Sequence, residues 1–199
     1  TLTSADPTAS IYYTLDGSTP NKTSALYSSP LAISDPAQLR AVAFEPNKTA
    51  SKVAVADYSF LDASLLNYLS DVPVIVMDNF GAGAYPSKGR SPDGSGIVQV
   101  ARQSNVLSFF DVVGNSQPFS AAPSLQSRAG CRVRGSSSSE FPRKSLSVEL
   151  WNDSEDDADD NSAMPVGMAS EADWVLSAPN ADYDKALVNN PVSFEFGKL

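Results

Sequence analysis

Histidine is absent from all 199 residues. That removes Ser-His-Asp and Cys-His catalysis, and zinc chemistry built on imidazole. Cysteine occurs once, at Cys131, so no disulfide can close within the chain. Basic side chains are scarce: 14 Lys and Arg stand against 23 Asp and Glu, a net charge of −9. Nucleic-acid binders need a basic face, so this balance argues against that class. No apolar run approaches the roughly 18–20 residues that cross a bilayer. The chain opens at Thr1 with neither an initiator methionine nor a signal peptide, and is expected to be a piece of something longer or a processed product.

What is present is ordinary for a globular protein of one large domain or two small ones: 42% hydrophobic and 19% charged residues. Fourteen Pro and eleven Gly, with abundant Ser, Ala and Thr, predict many turns and short strands. Charge is uneven. Residues 1–60 carry four basic and five acidic side chains, a net of −1, which leaves −8 for residues 61–199. An acidic surface keeps a secreted or halotolerant protein soluble but names no partner.

Residues 1–60 follow β-strand patterning. Ile11-Tyr12-Tyr13-Thr14-Leu15 is a β-branched and aromatic run that ends at the turn signal Asp16-Gly17-Ser18-Thr19-Pro20. Leu31-Ala32-Ile33, Leu39 to Phe44 and Lys52 to Phe60 read as further strands. Short strands with turns every ten residues or so suggest a small β-sandwich. In the last of them, Val53, Val55 and Asp57 share a face opposite Ala54, Ala56 and Tyr58. The run Tyr12-Tyr13-Thr14-Leu15-Asp16-Gly17-Ser18-Thr19-Pro20, then Leu26-Tyr27, Pro30 to Ile33 and Leu39 to Ala43, resembles the chitobiase/β-hexosaminidase C-terminal-type domain. The resemblance implies a fibronectin- or immunoglobulin-like sandwich at 1–60. Such a module serves as a spacer or contacts carbohydrate.

Past a join at residues 61–71, which reads as a short helix or an extended linker, Val72 to Asp78 is a buried-strand run. Gly81 to Gly96 is loop. Ile97 to Arg102 and Phe109 to Gly114 are expected strands, the second closing in a turn. The most informative segment is Arg132-Val133-Arg134-Gly135-Ser136-Ser137-Ser138-Ser139-Glu140-Phe141-Pro142-Arg143-Lys144-Ser145. Ala129, Cys131 and Val133 alternate with Arg132 and Arg134; after a Gly/Ser turn, Lys144, Leu146, Val148 and Leu150 share a face. Such a hairpin presents backbone N–H groups and cations to an anion. A lysine on an apolar face needs a carboxylate, a phosphate or both; alternatively Lys144 sits at the wet end of the strand and snorkels to water. Cys131 reads as a small core residue.

In order, Val72 to Val76, Phe109-Phe110-Asp111, this Arg-x-Arg-Gly element, Asp173-Trp174-Val175-Leu176-Ser177-Ala178-Pro179 and Asp184 to Pro191 resemble the CotH kinase-like family of spore-coat kinases and their secreted relatives. The resemblance covers about residues 70–199. It implies an atypical protein-kinase-like fold that transfers phosphate from ATP, with Mg or Mn, to protein Ser/Thr. Arg134, Gly135, Ser136, Ser137 and Ser138 take the place of the glycine-rich loop, and Lys144 that of the lysine that neutralises phosphate charge. Glu195, on an expected C-terminal helix, is either that lysine's carboxylate partner or a solvent-facing helix glutamate. Arg143 stands where the family commonly has a lysine, and Asn189 where it has an arginine. No catalytic Asp and no metal-binding Asp can be carried over, so whether the chain acts as an enzyme stays open and the fragment alone is expected to be inactive, holding no nucleotide tightly.

The stretch 153–160 holds six carboxylates. It reads as a solvated acidic loop or, alternatively, a Ca²⁺ loop, although it lacks the glycine and closing glutamate of an EF-hand. The fold class expected is an all-β sandwich domain at 1–60 followed by an α+β, strand-rich partial kinase-like domain at 61–199, its C-terminal lobe missing. The expected location is extracellular or at the cell surface. The expected partners are a protein substrate or cell-surface component, with carbohydrate contact, no nucleic acid and no transmembrane segment. The competing class is a non-enzymatic surface module for structure, adhesion or carbohydrate contact.

Overall fold

The computed structural model describes residues 1–65, 68–87, 89–90, 97–98, 100–111, 117–118, 122–135, 137–153 and 161–179. The β-branched and aromatic run near the start forms β1 (Ser10–Thr14). It pairs antiparallel with β2 (Ala25–Leu26) and β3 (Ala37–Phe44), and β4 (Ala54–Tyr58) closes the order β2-β1-β3-β4. The turn after β1 is fastened locally. Asp16 Oδ1 accepts from the hydroxyl of Ser18 (2.6 Å) and from its N–H (3.0 Å), and these bonds hold the Asp16 carboxyl below its ordinary range. Gly17 takes φ +81°, a left-handed conformation that favours glycine, and its N–H donates to the carbonyl of Gln38 (2.9 Å).

Leu31-Ala32-Ile33 is not a strand, contrary to expectation. The free edge of β1 is taken instead by β2, and the N–H of Tyr27 donates to Ile11 O (2.8 Å). Pro30, with no N–H, precedes the run and offers no ladder donor.

The join contains a 3-10 turn at Ala63–Leu65 and then β5 (Leu69–Ser70). The main sheet follows. It uses β6 (Val74–Asp78), β9 (Gln103–Phe110), β11 (Leu125–Val133), β12 (Leu146–Trp151) and β13 (Asp173–Leu176), all antiparallel, in the order β13-β12-β11-β9-β6. Two small ribbons complete the set: β7 (Gly89–Arg90) with β8 (Ile97–Val98), and β5 with β10 (Gln117–Pro118).

The strand expected at Phe109 to Gly114 instead runs from Gln103 to Phe110, while residues 112–116 lie outside the described residues. Polar residues conceal it. Asn105 is fully buried yet satisfied, accepting from the Tyr85 hydroxyl (2.7 Å) and donating to Gln103 O (2.7 Å). A central strand that carries Gln, Ser and Asn shows no apolar alternation, although its side chains find partners once the sheet is assembled.

Leu107, Phe109, Ala129, Cys131, Val148 and Leu150 form the core on one face of this sheet, with Ile75, Met77, Trp174 and Leu176 packed against it. Each large apolar side chain buried there contributes roughly 1.5–3 kcal/mol. The expected inward set Ala129, Cys131 and Val133 is buried as read. Ser127 to Cys131 are all buried, so β11 is covered on both faces. The described chain is therefore strand-rich, with two antiparallel sheets of four and five strands and, for helix, only short 3-10 turns. No helix among the described residues is long and apolar enough to cross a membrane.

Candidate functional site

The β11–β12 hairpin carries the motif segment. Arg134 is exposed just past β11, and its N–H donates to Ser145 O (2.8 Å), which draws the two strands' ends together. Gly135 sits at φ +117°, and a Cβ there would lie 2.2 Å from Ser138 Oγ. Glycine is favoured by that conformation, and a Cβ would also turn the Ser138 hydroxyl aside. Ser137–Glu140 then make one 3-10 turn, in which Ser138 is half-buried and its carbonyl accepts from Phe141 N–H (3.3 Å).

β12 begins at Leu146, so Lys144 precedes the strand rather than lying on its apolar face. Its side chain is exposed, and the ammonium folds back to donate to the Ser139 carbonyl (2.5 Å). The structure thus brings Gly135, Ser138 and Lys144 to one turn, with Arg134 at its base. The partner seen for the lysine is a backbone carbonyl rather than a carboxylate. Ser136 and Glu195 lie outside the described residues, as does the expected C-terminal helix.

A second constellation was not singled out from the sequence. The side chain of Asp57 on β4 is fully buried, and it accepts from two arginines: Arg40 Nη1 (2.6 Å) in its own sheet and Arg128 Nε (2.7 Å) on β11 of the other. Both guanidiniums are themselves buried. Arg128 also donates through Nη1 to the carbonyl of Asn152 (2.7 Å) and stands 5.7 Å from the centre of the Trp151 ring. Trp151 lies across Gly130, where a Cβ would come within 2.1 Å of the indole. Gln38 Nε2 donates to Ser104 Oγ (2.7 Å), and Ser59 Oγ donates to Asp78 Oδ2 (2.8 Å), so two further strands, β9 and β6, join the contact between the sheets. The available signal was Asp57 itself, a carboxylate in register with Val53 and Val55 on the face of a strand that must pack.

Beside this junction, Arg102 Nη2 pairs with Glu149 (2.7 Å), and its Nη1 donates to Ser147 Oγ (2.9 Å). Cys131 is buried, and burial pushes its thiol up to about 12, which makes it a core residue and not a nucleophile. No three Asp, Glu, His or Cys side chains converge as metal ligands among the described residues. Of the acidic stretch, only Asp153 is described, and it is exposed.

A cleft of about 450 Å³ opens where β4 meets the five-stranded sheet, with Asp57, Tyr58, Gln126, Arg128, Asn152 and Asn161 in its walls. The chemistry on offer is polar recognition: amides, one ion pair and one exposed aromatic edge.

No curated protein and no solved structure matches the chain. Residues 1–58 match the family model described as Fn3 associated, in agreement with an Fn3-like unit at the start of the chain.

Proposed function

We propose that the Gly135–Lys144 turn is the phosphate cradle of a CotH-like kinase lobe, in a protein that transfers phosphate from ATP to protein Ser/Thr at the cell surface or outside the cell. The observation that carries this reading is the Lys144 ammonium bonded to the Ser139 carbonyl, beside a turn whose backbone favours glycine at position 135. An exposed ammonium has three donors, and one is spent on Ser139; the others can meet phosphate oxygens. Arg134, exposed at the base of the same turn, adds a second cation. The five-stranded antiparallel sheet, with this turn linking two adjacent strands, supports the role of a nucleotide-covering lobe. Glu195 is assigned as the lysine's carboxylate partner when nucleotide is bound.

ATP with Mg or Mn supplies the transferable phosphoryl group and the charge neutralisation; Lys144 and the turn bind and orient the phosphates. No catalytic base is assigned to this chain, and on this reading it does not turn over ATP by itself. The first 60 residues are assigned as a module of the chitobiase/β-hexosaminidase C-terminal type.

Calorimetric titration of ATP with Mg²⁺ or Mn²⁺ tests the reading, in the 199-residue chain and in a longer form that carries residues after Leu199. Binding in the longer form is expected, and Lys144→Ala is expected to weaken it about tenfold or more through the loss of a charge-assisted contact. Equal affinity in the variant removes Lys144 from the site.

A further inference from the structure

We infer that a second, smaller cavity between the two sheets binds the carboxylate of a small organic acid. It measures about 290 Å³, and Asp16, Gly17, Gln38, Arg40, Arg102 and Ser104 are in its walls. That size, just under the roughly 300 Å³ where small-molecule sites begin, suits an acid of few atoms. Arg40 is 6% exposed. It spends Nη1 on Leu39 O (2.9 Å) and on Asp57 Oδ1 (2.6 Å), while Nε and Nη2 bond nothing among the described residues. Neither nitrogen is sealed from solvent, and the residue lines the cavity. The Nε–Nη2 edge of a guanidinium carries two parallel N–H donors, the fork that meets both oxygens of one carboxylate. Further donors stand in the same walls. Arg102 commits its Nη atoms to Glu149 and Ser147 and keeps Nε. Ser104 Oγ accepts from Gln38 Nε2 (2.7 Å) and has its own proton to give.

Asp57 and Glu149 already hold other edges of these arginines, so the cavity offers unspent donors in a fixed geometry rather than a surplus of charge. Asp16 selects among anions. Its carboxylate stands in the same wall and repels a dianion more than a monoanion. A single carboxylate therefore fits better than phosphate or sulfate. The site shares no residue with the Gly135–Lys144 turn, so it stands or falls apart from the nucleotide reading.

The test is calorimetry and thermal melting of the 199-residue chain with sodium acetate, propionate and lactate, chloride holding the ionic strength constant. Sodium phosphate and sulfate are run in parallel. Saturable binding of at least one carboxylate is expected at about millimolar Kd, with a matching rise in Tm. Arg40→Lys keeps the charge beside Asp57 but loses the fork, and is expected to weaken binding about tenfold. Ser104→Ala leaves the ion pairs in place and is expected to weaken it about threefold. Asp16→Asn keeps the acceptor that fastens Ser18 and removes the charge, so binding is expected to tighten about twofold. Should Arg40→Lys fail to fold, the opposite shifts at Ser104 and Asp16 decide. The inference is overturned if no carboxylate saturates below about 50 mM, if phosphate or sulfate binds more tightly, or if every folded variant binds as the parent does.

Discussion

The Asp57 carboxylate accepts from Arg128 Nε at 2.7 Å across 71 positions of chain, and the same carboxylate holds Arg40. One buried anion therefore fastens the two sheets to each other through Arg128, while it also holds the buried Arg40 of its own sheet. Burying such charges is expensive, and the arrangement persists only while all three are present.

Asp57→Ala is therefore expected to destabilise the chain by about 3–5 kcal/mol, because two guanidiniums lose their counter-charge in a dry setting. Urea unfolding checks this. Asp57→Asn keeps the shape but not the charge, and should show most of the same loss. A change below about 1 kcal/mol, the range of exposed pairs, would mean that the junction is wet and the triad unimportant.

Gly130→Ala places a methyl group 2.1 Å from the Trp151 ring. The indole cannot stay where it is, and its displacement also disturbs the Arg128 guanidinium beside it. The expected cost is about 1–3 kcal/mol, as for overpacking in a tight core. The near-ultraviolet circular dichroism of Trp151 should change with it. Trp151→Leu combined with Gly130→Ala should cost less than the sum of the two single changes, since the clash then has no ring to meet.

At the motif turn, Gly135→Ala meets both a left-handed backbone at φ +117° and a contact with Ser138 Oγ at 2.2 Å. A loss of about 1–3 kcal/mol is expected, confined to the hairpin end. Amide hydrogen exchange reads this locally: protection at Phe141 and Arg134, whose N–H groups are bonded across the turn, should fall first. Unchanged protection there would show that the turn does not depend on glycine.

Alkaline pH should weaken the fold. Burial raises the Cys131 thiol from 9.0 to about 12, and burial likewise raises the Tyr85 hydroxyl from 10.0 to about 12. Both groups hold their protons more tightly folded than unfolded. Their contribution is thus complete below pH 9 and is lost progressively between about 9 and 12. Unfolding midpoints measured from pH 8 upward should fall, and Cys131→Ala should flatten part of that slope. Thiol alkylation at pH 8.5 should be slow in the native chain and fast in urea; rapid native labelling would contradict the buried thiol.

Much of the strand pattern was legible because period-2 alternation is a local property. Ala129, Cys131 and Val133, or Val148 and Leu150, face inward wherever the strand lies in the sheet. The glycine-serine turn was legible for the same reason, since Gly135 needs its conformation from its immediate neighbours. β9 was legible only in its last residues, because Asn105 and Ser104 look like loop until Tyr85 and Gln38 arrive to bond them. The lysine's partner was open in the sequence, for a carbonyl five positions away leaves no trace in periodicity.

Composition and alternation by themselves determined that this chain is rich in short antiparallel strands, lacks imidazole chemistry, and turns sharply after Arg134. Only the tertiary structure decided that Arg40, Asp57 and Arg128 form one buried unit, that Trp151 needs a glycine opposite, and that a polar cleft lies beside them. Backbone preference acts between neighbours in sequence, whereas charge pairing and close packing act between neighbours in space, and here those neighbours are separated by as many as 71 residues.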